Sequence, residues 1–454
     1  MRARAESKRS VTVAAPMAHS ERLERALPLL LFAGGLALYF AGAARLADTA
    51  MHERDNVFFR SDTERAFRDL TGRWDADHRR TSTHPLFVLI HHPLGRGLTH
   101  ALRAAGVPPR EARERASALL TGAAGGLAAA LAFRLLRTAG VSLAFAGFFS
   151  AILAASAAHW AFASIPETWI FSALSLAWLA LETVRRPSAP EWRFQLPAVY
   201  AIGVVTTNLV PVGVLAWLRH ALRGAAFPAA PARALRSTAL ALGLVAALAL
   251  VQQALYPTTT LFFLPNSVTK ETKWVKWTHW LERPGPTVQI LGRSLLLDNV
   301  LAPAPYRTEH EGLPMASIEE ARRAHYRARW PAVALWALVL AAAGVGALRG
   351  ALWRPLGVAA LGLLAFHFAF HSFFGNDRFL YAAGWTLFTV LAVALGFEAA
   401  VPRARAPRAA ACALLAAFLL LQLGFNWRFL GELRDAAGPG PRALAPAAAP
   451  RAGP

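Results

Sequence analysis

Cysteine is almost missing from this chain. The single one, Cys412, lies inside an apolar block, so no intramolecular disulfide can form. Charge is scarce as well: charged residues make up 17% of the sequence, against about 25% in an average soluble domain. With hydrophobic residues at 55%, that shortage excludes an ordinary soluble protein. The apolar residues fall in blocks of about 17 to 25, the length that crosses a hydrocarbon core about 30 Å thick. A cleavable signal is lacking too. Residues 26–45 are long enough to span and no small-residue cleavage site follows, so they read as an uncleaved first helix. There is no internal repeat, which counts against the repeated halves of many transporters.

What is abundant is arginine. The net charge of +21 would suit a nucleic-acid binder, but much of the excess lies in short connections between apolar blocks. These are the N-terminal arm with Arg22 and Arg25, the turn after Arg137, Arg185–Arg193, Arg219–Arg236, Arg349–Arg354 and Arg403–Arg408. Short basic loops mark the cytoplasmic side of a membrane protein, so the basicity encodes orientation and no nucleic-acid partner is expected. The sequence predicts an all-α, polytopic transmembrane helical bundle in a bacterial inner (plasma) membrane, with the N-terminus cytoplasmic. About nine full spans are expected, at 26–45, 116–136, 142–160, 168–184, 237–256, 331–348, 355–374, 378–397 and 409–427. The stretch 196–219 reads as a short helical hairpin broken near Thr206-Thr207-Asn208, because a single crossing would reverse every later basic loop.

That layout divides the chain into a basic arm (1–25), a transmembrane domain (26–427) and a disordered Ala/Pro/Gly-rich tail (428–454). Two long extracytoplasmic loops result, 46–115 and 257–330. The first is rich in carboxylates, among them Asp55, Asp62, Asp69, Asp75 and Asp77. Its later part, about 84–105, suits a helix lying in the membrane interface. The second carries Lys270, Lys273, Trp274, Trp277, His279 and Trp280. Trp beside Lys is an interfacial anchor, and equally a place for a lipid phosphate or a sugar.

A set of short motifs follows in order. After the first span come SDTERAF (61–67) and His84-Pro85-Leu86-Phe87. Arg115-Ala116 then opens the next span, Pro166-Glu167 forms an outer turn, and Asp377-Arg378-Phe379 marks a late outer edge. This order resembles the GT-C superfamily of multispanning glycosyltransferases, which includes protein O-mannosyltransferases and the bacterial enzymes that move a sugar from a polyprenyl phosphate onto lipid A. The resemblance covers roughly 26–184 and, weakly, 331–400. It departs in Asp-Thr for Asp-Glu, in one Pro for two after His84, and in Arg-Phe for Arg-Tyr. It implies a catalytic acid in the first outer loop and a polyprenyl-phosphate sugar as donor substrate. The acceptor would be an envelope glycan, lipid or protein, and membrane lipid would surround the whole.

The chemistry asks for the same residue types. A neutral hydroxyl acceptor needs a base, worth about 10²–10⁴-fold, and a departing phosphate needs a cation, best a forked guanidinium. Asp62 is the first candidate for the base, and a helix cap is its plain alternative. Asp55 is the second candidate, while Asp69, Asp75 and Asp77 read as solvated charges and Arg80 as a spectator. His84, Glu167, Arg378, Lys270 and Lys273 are candidates for substrate binding, with Glu167 also explicable as a helix-start carboxylate and Arg378 as a snorkelling side chain. His367 and His371 share a helix face at i, i+4, a metal-like spacing with no third ligand supplied. No metal site is assigned, no cofactor is certain, and a divalent metal stays open. A transporter or flippase, or a scaffold with a degenerate loop, is the alternative to an enzyme.

Overall fold

The computed structural model describes residues 11–225, 229–276, 284–375 and 377–441, with side chains described from Glu21 onward except that of Arg79. In chain order the helices are α1 (Val11–Leu46), α2 (Thr63–Thr71), α3 (Phe87–Ala104), α4 (Pro109–Thr138), α5 (Leu143–Ala154), α6 (Ala157–Ser164), α7 (Trp169–Arg185) and α8 (Glu191–Val204). They continue as α9 (Leu209–Leu222), α10 (Ala229–Leu255), α11 (Pro265–Thr272), α12 (Pro284–Arg293), α13 (Trp330–Leu348), α14 (Pro355–Phe373), α15 (Ala382–Ala400) and α16 (Arg405–Ala437). Among the described residues, seven helical segments are long and apolar enough to cross a bilayer, or eight if α5 and α6 count as one bent span. The chain is a multi-pass helical membrane protein.

Two of the nine expected spans differ in form. Segment 142–160 breaks between α5 and α6 with a 51° bend. At Ser156 the hydroxyl caps α6 by accepting from the His159 N–H. The backbone groups opened by the break are taken up by neighbours: Ala157 and Ala158 N–H donate to Val300 and Asn299 carbonyls, and the Asn426 amide donates to the Ala155 carbonyl at 2.8 Å. Irregular backbone at this depth survives because protein, not lipid, supplies the partners. Segment 168–184 forms a helix of only 17 residues, largely buried.

The 196–219 stretch is indeed two helices, α8 and α9, of 14 residues each. Both outer ends lie together, since Arg219 and Arg223 at the end of α9 donate to the Ala189 carbonyl just before α8. The break itself is tied to the first loop: Thr206 N–H donates to the Thr83 carbonyl, and Leu86 N–H to the Gly203 carbonyl. Asn208 fastens the turn by donating to the Ala201 carbonyl.

The bundle is all-α, as expected, and the expected domain limits need correction. The second loop adds one small hairpin, β1 (Tyr306–His310) with β2 (Leu313–Ser317), in register Tyr306↔Ser317. Its two-residue turn has positive φ at Glu311 and Gly312, the twist that short hairpins favour. The tail does not begin at 428, because α16 continues to Ala437 with Phe429, Leu430, Leu433 and Ala437 buried at helical spacing; 442–454 lie outside the described residues. The arm 1–25 is likewise helical from Val11, and Glu24 pairs with Arg137 at 3.0 Å.

The expected interfacial helix is α3, with Pro93 inside it. It packs on α2 and α4. Gly95 makes this approach feasible, since a Cβ there would lie 2.0 Å from the Leu70 carbonyl oxygen.

Candidate active site

At one end of the bundle, a cavity of about 280 Å³ collects both long loops, the α8–α9 break and the start of the span at Arg378. The first loop brings Asp62, Arg80 and His84, and the turn before α7 brings Glu167 and Trp169. Glu271, Trp274 and His310 come from the second loop, and Asp377 and Tyr381 from the edge of α15. Segments some 300 residues apart in sequence therefore close on one space.

The carboxylates of the first loop divide their work in an unexpected way. Asp62 is the N-cap of α2, yet its side chain makes no cap hydrogen bond. The capping is done from elsewhere. Asp55 Oδ1 accepts from the Arg65 N–H at 3.0 Å, and Glu167 Oε2 accepts from the Asp62 N–H at 3.0 Å. Two acids thus serve the amides at a helix start, where the dipole favours them. Relieved of that duty, the Asp62 carboxylate faces the cavity, 29% exposed, and pairs with Arg80 Nε at 3.1 Å. Arg80 is therefore no spectator. Burial raises the Asp55 pKa, partly offset by the Arg65 N–H bond.

Behind Asp62 lies a buried guanidinium. Arg65 reaches Asp69 at 3.0 Å, Asp62 at 3.6 Å and Glu167 at 3.8 Å. Asp69, expected as a solvated charge, is buried, and its other oxygen bonds His78 Nδ1 at 2.7 Å. Asp75 is a surface charge paired with Arg73, and Asp77 is exposed. Burial pushes the Glu167 pKa up to about 6 against the pull of Arg65, while Thr168 donates both its N–H and its hydroxyl to Glu167 Oε1. Glu167 is thereby a helix-start acid and a wall of the cavity at once.

His84 lines the cavity with its ring edge-on to Trp169. Burial first, and Arg65 next, hold its pKa well below the usual value. The neutral ring donates from Nδ1 to the Val204 carbonyl at 2.9 Å, which leaves Nε2 an acceptor.

On the far wall, Asp377 accepts from Ser317 Oγ at 2.9 Å and from the Phe379 N–H at 3.1 Å. Arg378 is buried and ion-paired with Glu319; it does not reach the cavity lining. Lys270 and Lys273 stay exposed and outside the lining as well, Lys273 lying 4.8 Å over the Trp274 ring. His367 and His371 are stacked on each other, and His371 stacks on Tyr381. Among the described residues no group of three His, Cys, Asp or Glu gathers as a metal would need. Trp277, His279, Trp280 and Asn376 lie outside the described residues.

A second cation lines the cavity beside Arg80: Arg60, which the sequence did not single out. Asn56, Phe59 and Arg60 all have positive φ, at 61°, 51° and 59°, a backbone that non-glycine residues rarely adopt and that concentrates at functional sites. Strand β2 holds it there: Phe59 N–H donates to the Ala316 carbonyl and Ala316 N–H to the Val57 carbonyl. The Phe59 ring is clamped against Phe379 at 4.7 Å. Among the described residues the Arg60 guanidinium makes no hydrogen bond or ion pair. Only a triplet of consecutive aromatic-and-basic residues, Phe58-Phe59-Arg60, hinted at it in sequence.

Two buried acids near Arg60 titrate late. Burial raises Asp377 to about 6. Burial and the charge of Asp377 raise Glu319 to about 7 from an ordinary 4.5. An acid whose pKa rises on folding binds its proton more tightly in the folded chain. Its contribution to stability is therefore full below the unfolded value and is lost as pH rises through the folded one. Glu319→Gln removes this titration. The melting temperature of the native protein minus that of the variant is expected to shrink as pH rises from about 4.5 to about 7. A gap that widens over the same window would show that Arg378, not burial, governs Glu319.

Comparison with family models, with curated proteins and with solved structures finds no match.

Proposed function

We propose that this membrane protein is a glycosyltransferase that moves a sugar from a polyprenyl-phosphate donor to an acceptor on the loop side of the membrane. One observation carries the reading: a carboxylate freed from capping, Asp62, and a guanidinium, Arg60, line the same cavity at the end of the bundle. In the reaction the acceptor hydroxyl attacks the anomeric carbon of the sugar. Its proton passes to Asp62, and the bond from that carbon to the phosphate oxygen breaks. The polyprenyl phosphate leaves with one more negative charge, which Arg60 faces.

The other groups fit these roles. Arg80 and Arg65 hold the Asp62 carboxylate, Glu167 fixes its backbone, and Trp169, Trp274 and Tyr381 offer ring faces to a sugar. Arg378 is ion-paired with Glu319 and stays out of the cavity lining, so the phosphate role moves from Arg378 to Arg60.

The test is incubation of the purified protein in lipid with a panel of polyprenyl-phosphate sugars, scoring loss of donor. Consumption of one donor is expected, with Arg60→Lys weakening donor binding and Arg60→Ala weakening it more, because a compact ammonium replaces a fork poorly. If every donor is bound but none consumed, the enzyme reading fails and a carrier or flippase takes its place.

A further inference from the structure

The opposite end of the bundle holds an open recess that the proposed reaction does not use. It measures about 410 Å³ and is bounded by the α4–α5 turn at Ala139–Val141, the α13–α14 connection and the α15–α16 connection. All the long helices that meet there end there. Helix α15, 19 residues long, rises about 1.5 Å per residue, so the two cavities lie about 28 Å apart. That is close to the thickness of a hydrocarbon core, about 30 Å. The second cavity therefore sits at the headgroup level of the opposite leaflet.

Its charge is one-sided. Arg349, Arg354 and Arg403 line it, and Glu398 is the only acid in the lining. Glu398 is already answered: it pairs with Arg408 and accepts from Ser142 N–H and Oγ at 2.9 and 2.7 Å. Arg349 donates to the Ala400 carbonyl at 3.1 Å. The guanidinium groups of Arg354 and Arg403 have no ion pair or hydrogen bond among the described residues. Three guanidinium groups around one space, with the local acid neutralised, present a site for an anion with several oxygens.

The neighbours say where that anion comes from. On the connection between Arg349 and Arg354, Trp353 is 79% exposed and Leu348, just before it, 90%. A protruding Trp beside arginines at the end of several spans belongs at the membrane–water boundary. Leu348 and Trp353 would lie among acyl chains and glycerol, and the arginines at the phosphates. We infer that this cavity binds the phosphate headgroup of an anionic phospholipid from the leaflet opposite the reaction site. Basic recesses between spans are suited to such headgroups, each Lys or Arg adding about 1 kcal/mol near an anionic surface.

The experiment uses the full chain in phosphatidylcholine nanodiscs, titrated with phosphatidylglycerol while its melting temperature is followed. The native protein is expected to be stabilised in a saturable way. Arg354→Gln combined with Arg403→Gln should bind the lipid roughly thirtyfold more weakly, the equivalent of about 2 kcal/mol. Arg233→Gln with Arg236→Gln, exposed near the start of α10 and outside the cavity, should respond as the native protein does. Equal loss in both double variants would mean diffuse attraction and would overturn the site. So would an unchanged response in the Arg354/Arg403 variant, or equal stabilisation by inorganic phosphate alone. None of these outcomes depends on whether a sugar is transferred at the other face.

Discussion

Asp62→Asn is expected to lower turnover by roughly 10²–10⁴-fold, the scale of a lost general base, while the protein melts close to its native temperature. The two halves of that expectation come from different atoms. The catalytic half rests on a carboxylate that lines the cavity and caps nothing. The stability half rests on what Asn keeps: the backbone N–H bonded to Glu167 is untouched, and the pair with the part-exposed Arg80 is worth about 0–1 kcal/mol. Asp55→Asn is the informative contrast. Asp55 caps α2 through the Arg65 N–H, a bond that the Asn amide oxygen can still accept, so the variant should stay close to native stability and leave turnover per folded molecule near normal. The measurement is donor consumption per folded molecule beside a melting curve. Native-like turnover in Asp62→Asn with a dead but stable Asp55→Asn would exchange the two roles. Full activity in both would remove the first loop from the chemistry.

Much of this architecture was readable from period and charge alone. The apolar blocks and Arg-rich connections announced the spans, and a polar Thr-Thr-Asn inside 196–219 announced the break between α8 and α9. Asp62, His84 and Glu167, three residues far apart in sequence, were chosen separately and meet in one cavity. What escaped depends on partners that no local pattern encodes. Asp69 looks like a surface charge in its own segment and is buried only because Arg65 and His78 answer it. Arg378 sits where a phosphate-facing cation should sit, but Glu319 from the second loop claims it. Arg60 enters the cavity because β2, more than 250 residues later, pins a left-handed backbone. The bend at Ser156 needed Asn299, Val300, Gln422 and Asn426 to supply its missing hydrogen bonds, and a helix-period reading runs straight through it.

The largest loss of stability should come from Arg65→Met. The guanidinium is buried, and its removal takes the counter-charge from Asp69, Glu167 and Asp62 together. Breaking a buried ionic group from one side costs about 3–5 kcal/mol, because the charges left behind have neither water nor a partner. Asp69 keeps its bond to His78 and Glu167 keeps Thr168, which holds the figure within that range. Glu167, already raised to about 6 by burial, should titrate higher still once its cation has gone. Adding Asp69→Asn and Glu167→Gln to Arg65→Met discharges the orphaned acids, so it should restore a good part of the stability, as neutral replacement of a whole buried cluster does. Turnover should not return with it, because Asp62 still lacks the guanidinium that fixed its carboxylate. If Arg65→Met melts within about 1 kcal/mol of the native protein, the range of an exposed pair, the cluster is wet in the membrane. Asp62 would then owe its position to Arg80 alone.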